Sequence, residues 1–313
     1  MRLPKSLIMA LCKNGSDAGM SLGIIASIAA AFSCGGILVL TKWMMNTGMT
    51  SVEVLFYRFL FVFIITGVWF IIKKQNCRIT FRQLVTLVLL TVAGYGGSTF
   101  LLATSFNFLP MGLATMLYFT YPLFVLVIMT MLFKEKLTRV KAVSLSLAIL
   151  GIFCLMNFSL ELFNFGSVLA IGSGLAYAIY LVGIQKSSVK SLDNLVIVFY
   201  LSGFSCIFFF VQGILAGTPQ FLAVDVPQLL MGTCIGAVTV FVLGAVAYSI
   251  KCIGSTKTSL IISFEAVVSL ILGILIFGDP YNMNTWIGSI LMTLSVIFIT
   301  RENTEEALVA AEK

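Results

Sequence analysis

The sequence predicts an all-α integral membrane protein of ten transmembrane helices, arranged as two inverted five-helix repeats. Three observations carry this. Ten long apolar stretches run through a chain of 313 residues. Its lysines and arginines gather on one side of the resulting map. Helices closed by an acid, Glu135 in LFKEKLT and Asp279 in IFGDPYN, recur at an offset of 144 residues.

The stretches are 20–45, 51–72, 83–106, 110–133, 140–157, 165–185, 194–216, 227–250, 254–278 and 283–300. Each approaches the ~20 residues needed to cross a ~30 Å hydrocarbon core. The first follows Arg2, Lys5 and Lys13, and the second runs into Lys73 and Lys74. Arg78 and Arg82 precede the third; Lys134, Lys136, Arg139 and Lys141 fill the link between the fourth and fifth. Lys186 and Lys190 follow the sixth, Lys251 and Lys257 flank the link between the eighth and ninth, and Arg301 and Lys313 follow the tenth. With both termini cytoplasmic, these seventeen of the nineteen basic residues lie inside. Such segregation is the positive-inside pattern. Reversing the orientation or removing one helix would scatter the charges.

Composition agrees, with 60% hydrophobic and 10% charged residues and a mean hydropathy of +1.10, against ~25% charged in soluble domains. The net charge of +7 sits in short loops where it fixes topology and meets anionic headgroups, so no nucleic-acid partner is expected. Residues 1–19 read as an uncleaved interfacial stub and 301–313 as a cytoplasmic tail, in a multi-pass protein of the cell (inner) membrane. The seven cysteines include no CxxC pair and histidine is absent. Neither a metal nor another cofactor is expected, and small apolar packing suits most of the cysteines.

Three charges stand inside or beside apolar stretches. Glu265 lies 11 residues into the ninth, roughly 17 Å along it, where a charged side chain costs ~2.5–3.5 kcal/mol to insert. It is read as a residue of the transport path and protons as a candidate coupling partner, against the alternative of a hydrogen-bonded packing glutamate. Arg58 begins roughly 10 Å below the outer end of the second helix. It either snorkels to that interface or reaches inward, where pairing with Glu265 is one option. Lys42 is read as an anchor at the outer end of the first helix, with Glu53 as its partner.

Eight of nine tyrosines fall inside the stretches, whereas interfacial belts place them at helix ends. Tyr118 and Tyr121, like Tyr177 and Tyr180, are three apart and share a face; Tyr95 shares one with Ser98 and Thr99. With Tyr248 they are candidates to line an amphipathic cavity; the competing reading is hydroxyls satisfied between packed helices. The segments Gly94-Tyr-Gly-Gly-Ser98 and Gly232-Thr-Cys-Ile-Gly236 suit close helix packing.

The segments GLATMLYFTYPLFVLVIMTMLFKEKLT, with central Pro122 and closing Glu135, and SVEVLFYRFLFVF, with Arg58, resemble the EamA-type ten-helix exporters of the drug/metabolite transporter superfamily. SFEAVVSLILGILIFGDP resembles that family's ninth helix, with Ala266 where Pro is common and Asp279 where Glu is common. The resemblance implies one EamA-like repeat over 20–157 and a second over 165–300. With Ala266 and Asp279 departing from the pattern, the resemblance does not carry a substrate over; taken with the repeat and the midplane charges, the chain is read as a secondary transporter that moves a small organic metabolite (an amino acid, nucleoside or related compound, with export one direction) by alternating access between the repeats, as a monomer or homodimer. The substrate site is expected between the tyrosine faces of helices 3, 4, 6 and 8, with Arg58 and Glu265 tuning its charge. The competing class, an integral-membrane enzyme acting on lipids, would need a nucleophile or acid/base cluster that this chain lacks, so the protein is read as not an enzyme.

Overall fold

The computed structural model describes residues 17–105, 107–109, 111–135, 137–155, 165–215, 217, 225–277 and 283–311. The described elements are helices: α1 (Asp17–Asn46), α2 (Ser51–Lys73), α3 (Phe81–Ser105), α4 (Met111–Tyr118), α5 (Tyr121–Phe133), α6 (Arg139–Leu155), α7 (Phe165–Lys186), α8 (Asn194–Leu215), α9 (Val226–Ile253), α10 (Ser255–Ile262), α11 (Glu265–Leu272) and α12 (Met283–Ala311). Among the described residues, seven helical segments are long and apolar enough to cross a membrane. The other expected spans appear as the broken pair α4 and α5, as α6, and as the first half of α12. The last runs on through Arg301 to Ala311, so the expected tail begins as helix, where Glu, Ala and Leu favour that form.

Helix starts follow their capping residues. Thr50 and Thr80 each accept the N–H of the third residue, Glu53 or Gln83, whose side chain takes the cap N–H in return. That reciprocal pair satisfies two backbone groups that a helix end leaves open. Glu53, 4% exposed, therefore caps α2, accepting from Thr50 N at 2.8 Å. The expected partner role toward Lys42 is not visible, because the Lys42 side chain lies outside the described residues.

Two spans are broken near their centres, and they are the fourth and the ninth. Between α4 and α5, Thr120 N bonds Leu117 O at 3.2 Å and Leu123 N bonds Thr120 O at 3.0 Å. These are i to i−3 bonds, and Pro122, lacking an N–H, removes a helical hydrogen bond at the break and suits the first turn of the new helix. Between α10 and α11 the same tightening occurs without proline, through Phe264 N to Ile261 O at 3.2 Å and Ala266 N to Ser263 O at 3.1 Å. Here Ser259 and Ser263 bond back to Thr256 O and Leu260 O, the side-chain competition that bends helices. Ala266 in place of proline leaves the break in position.

A third irregularity widens α3 into a π-turn over Leu90–Tyr95. Glycines permit it. A Cβ on Gly97 would stand 2.3 Å from Val92 O and one on Gly94 3.0 Å from the Tyr180 Cβ. On α9, Gly236 is pressed to the Phe61 Cβ, 2.5 Å from where its own would be, so both glycine segments do serve close packing.

The packing pattern is two-fold. Counting spans, helix 1 packs on 8 as 6 packs on 3, 1 on 9 as 6 on 4, and the pairs 2 with 7 and 5 with 10 contact their own counterparts. An odd number of spans per half turns the second copy over, so equal contacts made from opposite directions are the mark of an inverted repeat. The loops that carry Lys73, Lys190 and Lys251 share one end of the bundle, here called the lysine-rich face. One continuous core, from Ala30 and Val62 to Leu243 and Ile299, joins both halves.

Candidate functional site

Six of the predicted residues meet in the middle of the bundle. Tyr95 sits where the π-turn of α3 ends, Tyr118 and Tyr121 on either side of the α4–α5 break, and Tyr177 and Tyr180 one turn apart on α7. Arg58 arrives from α2. The ring centroids of Tyr95 and Tyr180 are 5.2 Å apart, of Tyr121 and Tyr177 4.9 Å, and of Tyr118 and Tyr177 5.5 Å. These tilted and edge-on contacts are the favoured aromatic geometry. Tyr121 and Tyr180 are fully buried.

Arg58 does not snorkel. Its Nη2 donates to the Tyr95 hydroxyl and its Nε to Thr239 Oγ1 on α9, both at 2.9 Å. Its guanidinium also lies 5.6 Å from the Phe59 ring centre. The cation is thus tied to one helix of each repeat, α3 and α9, by charge-assisted hydrogen bonds.

Glu265 opens α11 at the second break, where it is half-buried. Its side chain lies beside Cys34 of α1 and within electrostatic range of Arg58. Glu265 and Arg58 do not form a direct ion pair; the Arg58 guanidinium turns instead to Tyr95 and Thr239. Tyr118, Tyr121 and Tyr95 all feel the Glu265 charge, which places the carboxylate beside the aromatic cluster.

Tyr248 stays apart. It lies nine residues beyond Thr239 on α9, about 13 Å along the axis toward the lysine-rich face. Its neighbour Ser249 belongs to a hydroxyl chain that joins α1, α9 and α10 through Ser27, Ser249 and Thr258. Of the hydroxyls grouped with Tyr95, Ser98 bonds Ser173 of α7 at 3.2 Å and Thr99 turns back to Tyr95 O.

Thr239 and Cys34 were not singled out from the sequence. Each is a small residue in an apolar helix, and only its distant partner gives it a role; Arg58 and Thr239 are 181 residues apart. Of the acids that revealed the repeat, Glu135 serves elsewhere. Glu135 pairs with Lys141 Nζ at 2.8 Å and accepts from Thr256 Oγ1 at 3.4 Å, while Asp279 lies outside the described residues.

One hydroxyl in the cluster has no partner. Tyr121 Oη is buried and unbonded, an arrangement that costs ~1–3 kcal/mol unless something else bonds it. Replacing it with Phe should therefore leave the purified protein as stable as the parent or raise its melting temperature, while weakening transport. A melting point several degrees lower would mean that the hydroxyl holds the fold.

The sequence profile of the EamA-like transporter family matches residues 21–157 and 164–301. No curated protein matches. Among solved structures, a crystal structure described only as that of a protein superposes with a TM-score of 0.74 at 13% sequence identity, covering 91% of this chain and 98% of its own. At that identity the likeness speaks for the fold alone.

Proposed function

Because the chain belongs to the EamA-like transporter family, and is thereby a multi-pass membrane transporter of small substrates, we propose that it is a secondary carrier moving a small polar organic metabolite by alternating access between its two repeats. The observation that carries this reading is the central cluster. A guanidinium, a carboxylate and five tyrosines converge where both broken helices meet, and such groups are costly in lipid unless they face protein, water or a solute. Interrupted helices at the interface of inverted repeats are where carriers of this architecture hold their substrates.

Burial is uneven about this level. Toward the lysine-rich face α10 is buried along its whole length, as are Val125, Leu126 and Met129 of α5. Toward the other face Tyr118, Phe264 and Ser269 stay half-buried. The conformation is read as closed on the lysine-rich side, with the Ser27–Ser249–Thr258 chain and the Glu135–Thr256 bond as the contacts that must part for the opposite state.

Counterflow in proteoliposomes of the purified protein tests the assignment. Radiolabelled amino acids, nucleosides and their analogues should include one whose uptake saturates and is accelerated by the same unlabelled compound inside. Uptake that never saturates for any of them would end the carrier reading. We further propose that the lysine-rich face and both termini are cytoplasmic, in the cell (inner) membrane. In a cysteine-free background, an impermeant thiol reagent applied to intact cells should label Asn46→Cys and spare Lys190→Cys. The reverse pattern would invert the molecule.

A further inference from the structure

The lysine-rich face carries a cavity of about 410 Å3 that the central site does not use. It is open to one side and lined at the ends of α5, α7 and α9, with Lys186, Lys190, Lys251, Gln185 and Glu135 on its walls and Gly254 among its lining. Topology alone asks only that lysines occupy the loops on this side. It does not ask three of them to converge on one concave surface.

The protein fixes this arrangement. Lys251 donates to Leu192 O, and the Lys186 ammonium lies 5.1 Å from the centre of the Phe133 ring. Gly254 turns the chain from α9 into α10 with φ +83°, and Gln185 Oε1 accepts the first N–H of α10, Ser255 N, at 2.7 Å. Just behind, the Ser255 hydroxyl is buried without a partner. The acid on the wall, Glu135, is already neutralised by Lys141 at 2.8 Å. Lys186 and Lys251 also offset the negative ends of α7 and α9. Three ammonium groups still exceed the partial negative charge of the helix ends they face, ~0.5 each, so the concavity keeps a positive potential, with low-dielectric walls that concentrate it. The adjoining end of α5 exposes Met131 and Leu132 by 75% and 72%, surface suited to acyl chains at the same membrane level.

We propose that this cavity binds a phosphate group, presented by the headgroup of an anionic phospholipid or by a soluble phosphate. Basic pockets between helix ends on one membrane face are the form that headgroup sites take. Occupancy would brace the link between α9 and α10, which joins directly to the helix pair bearing Glu265.

Native mass spectrometry of the full chain in detergent, titrated with phosphatidylglycerol or phosphatidylcholine, tests the lipid source. The wild type should retain phosphatidylglycerol about tenfold more than phosphatidylcholine. The double variant Lys186→Gln/Lys190→Gln, at two exposed positions, should lose that preference. Lys186→Arg/Lys190→Arg should keep it, as should Lys73→Gln/Lys74→Gln at the end of α2. For the soluble source, millimolar inorganic phosphate should raise the melting temperature of the lipid-free wild type and of the arginine variant, and leave the Lys186→Gln/Lys190→Gln variant unmoved. A positive result in either arm supports the site and identifies its source. Equal retention of both lipids together with no phosphate shift overturns it, and so does a preference that survives Lys186→Gln/Lys190→Gln or is lost equally with Lys73→Gln/Lys74→Gln.

Discussion

Glu265→Gln is expected to abolish or uncouple transport while the protein still folds and inserts. The amide is nearly isosteric, keeps the packing beside Cys34 and removes a charge whose insertion costs ~2.5–3.5 kcal/mol, so folding has little to lose. What it removes is the ability to exchange a proton and to face a cationic group of the solute. Counterflow and gradient-driven uptake separate these two uses. If the carboxylate couples a proton, the variant should still exchange labelled for unlabelled substrate but should not accumulate it against a gradient, and its rate should no longer vary with pH. If it binds the solute directly, both activities should fall by at least about tenfold, the equivalent of ~1.4 kcal/mol. Glu265→Ala, which also opens a void at the α10–α11 break, should lower the melting temperature as well. A Glu265→Gln protein that transports at the parental rate with the parental pH profile would assign the carboxylate to helix packing and remove the proton-linked idea.

Arg58→Ala should be the most damaging single change at the centre. It strips charge-assisted bonds from Tyr95 and Thr239 at once, each worth ~1.5–3 kcal/mol, and leaves the Glu265 carboxylate without its nearby cation. Transport should fall more than about tenfold, with a lower melting temperature. Arg58→Lys restores the charge but not the fork that reaches two helices, so it should recover stability in part and transport poorly. A cycle of Arg58→Ala, Tyr95→Phe and the pair should show coupling of ~0.5–3 kcal/mol, the range found for residues sharing a network. Simple additivity of the two losses would mean that the 2.9 Å contact does not organise the site.

The difference between these residues and their neighbours marks how far the sequence could be read. Length, apolar runs and the one-sided lysines were enough for an all-α membrane fold of two inverted halves, because a bilayer forces every span to be helical and a topology to be one of few. Glu265 and Arg58 stood out for the same reason, as charges where charges are expensive. The tyrosine pairs at i, i+3 on α7 and across the Pro122 break were legible as shared faces. Which face looked inward was not, since hydropathy around these helices is nearly uniform and lipid is as apolar as a neighbouring helix. Tertiary structure decided that Arg58 turns toward Tyr95 and Thr239 instead of the interface, that Tyr248 stands at another level, and that Glu265 meets Cys34. It also placed the second helix break without a proline and ran α12 past Arg301. Each of these depends on a partner far along the chain, 181 residues for Arg58 and Thr239, and a local pattern of hydrophobicity holds no record of who that partner is.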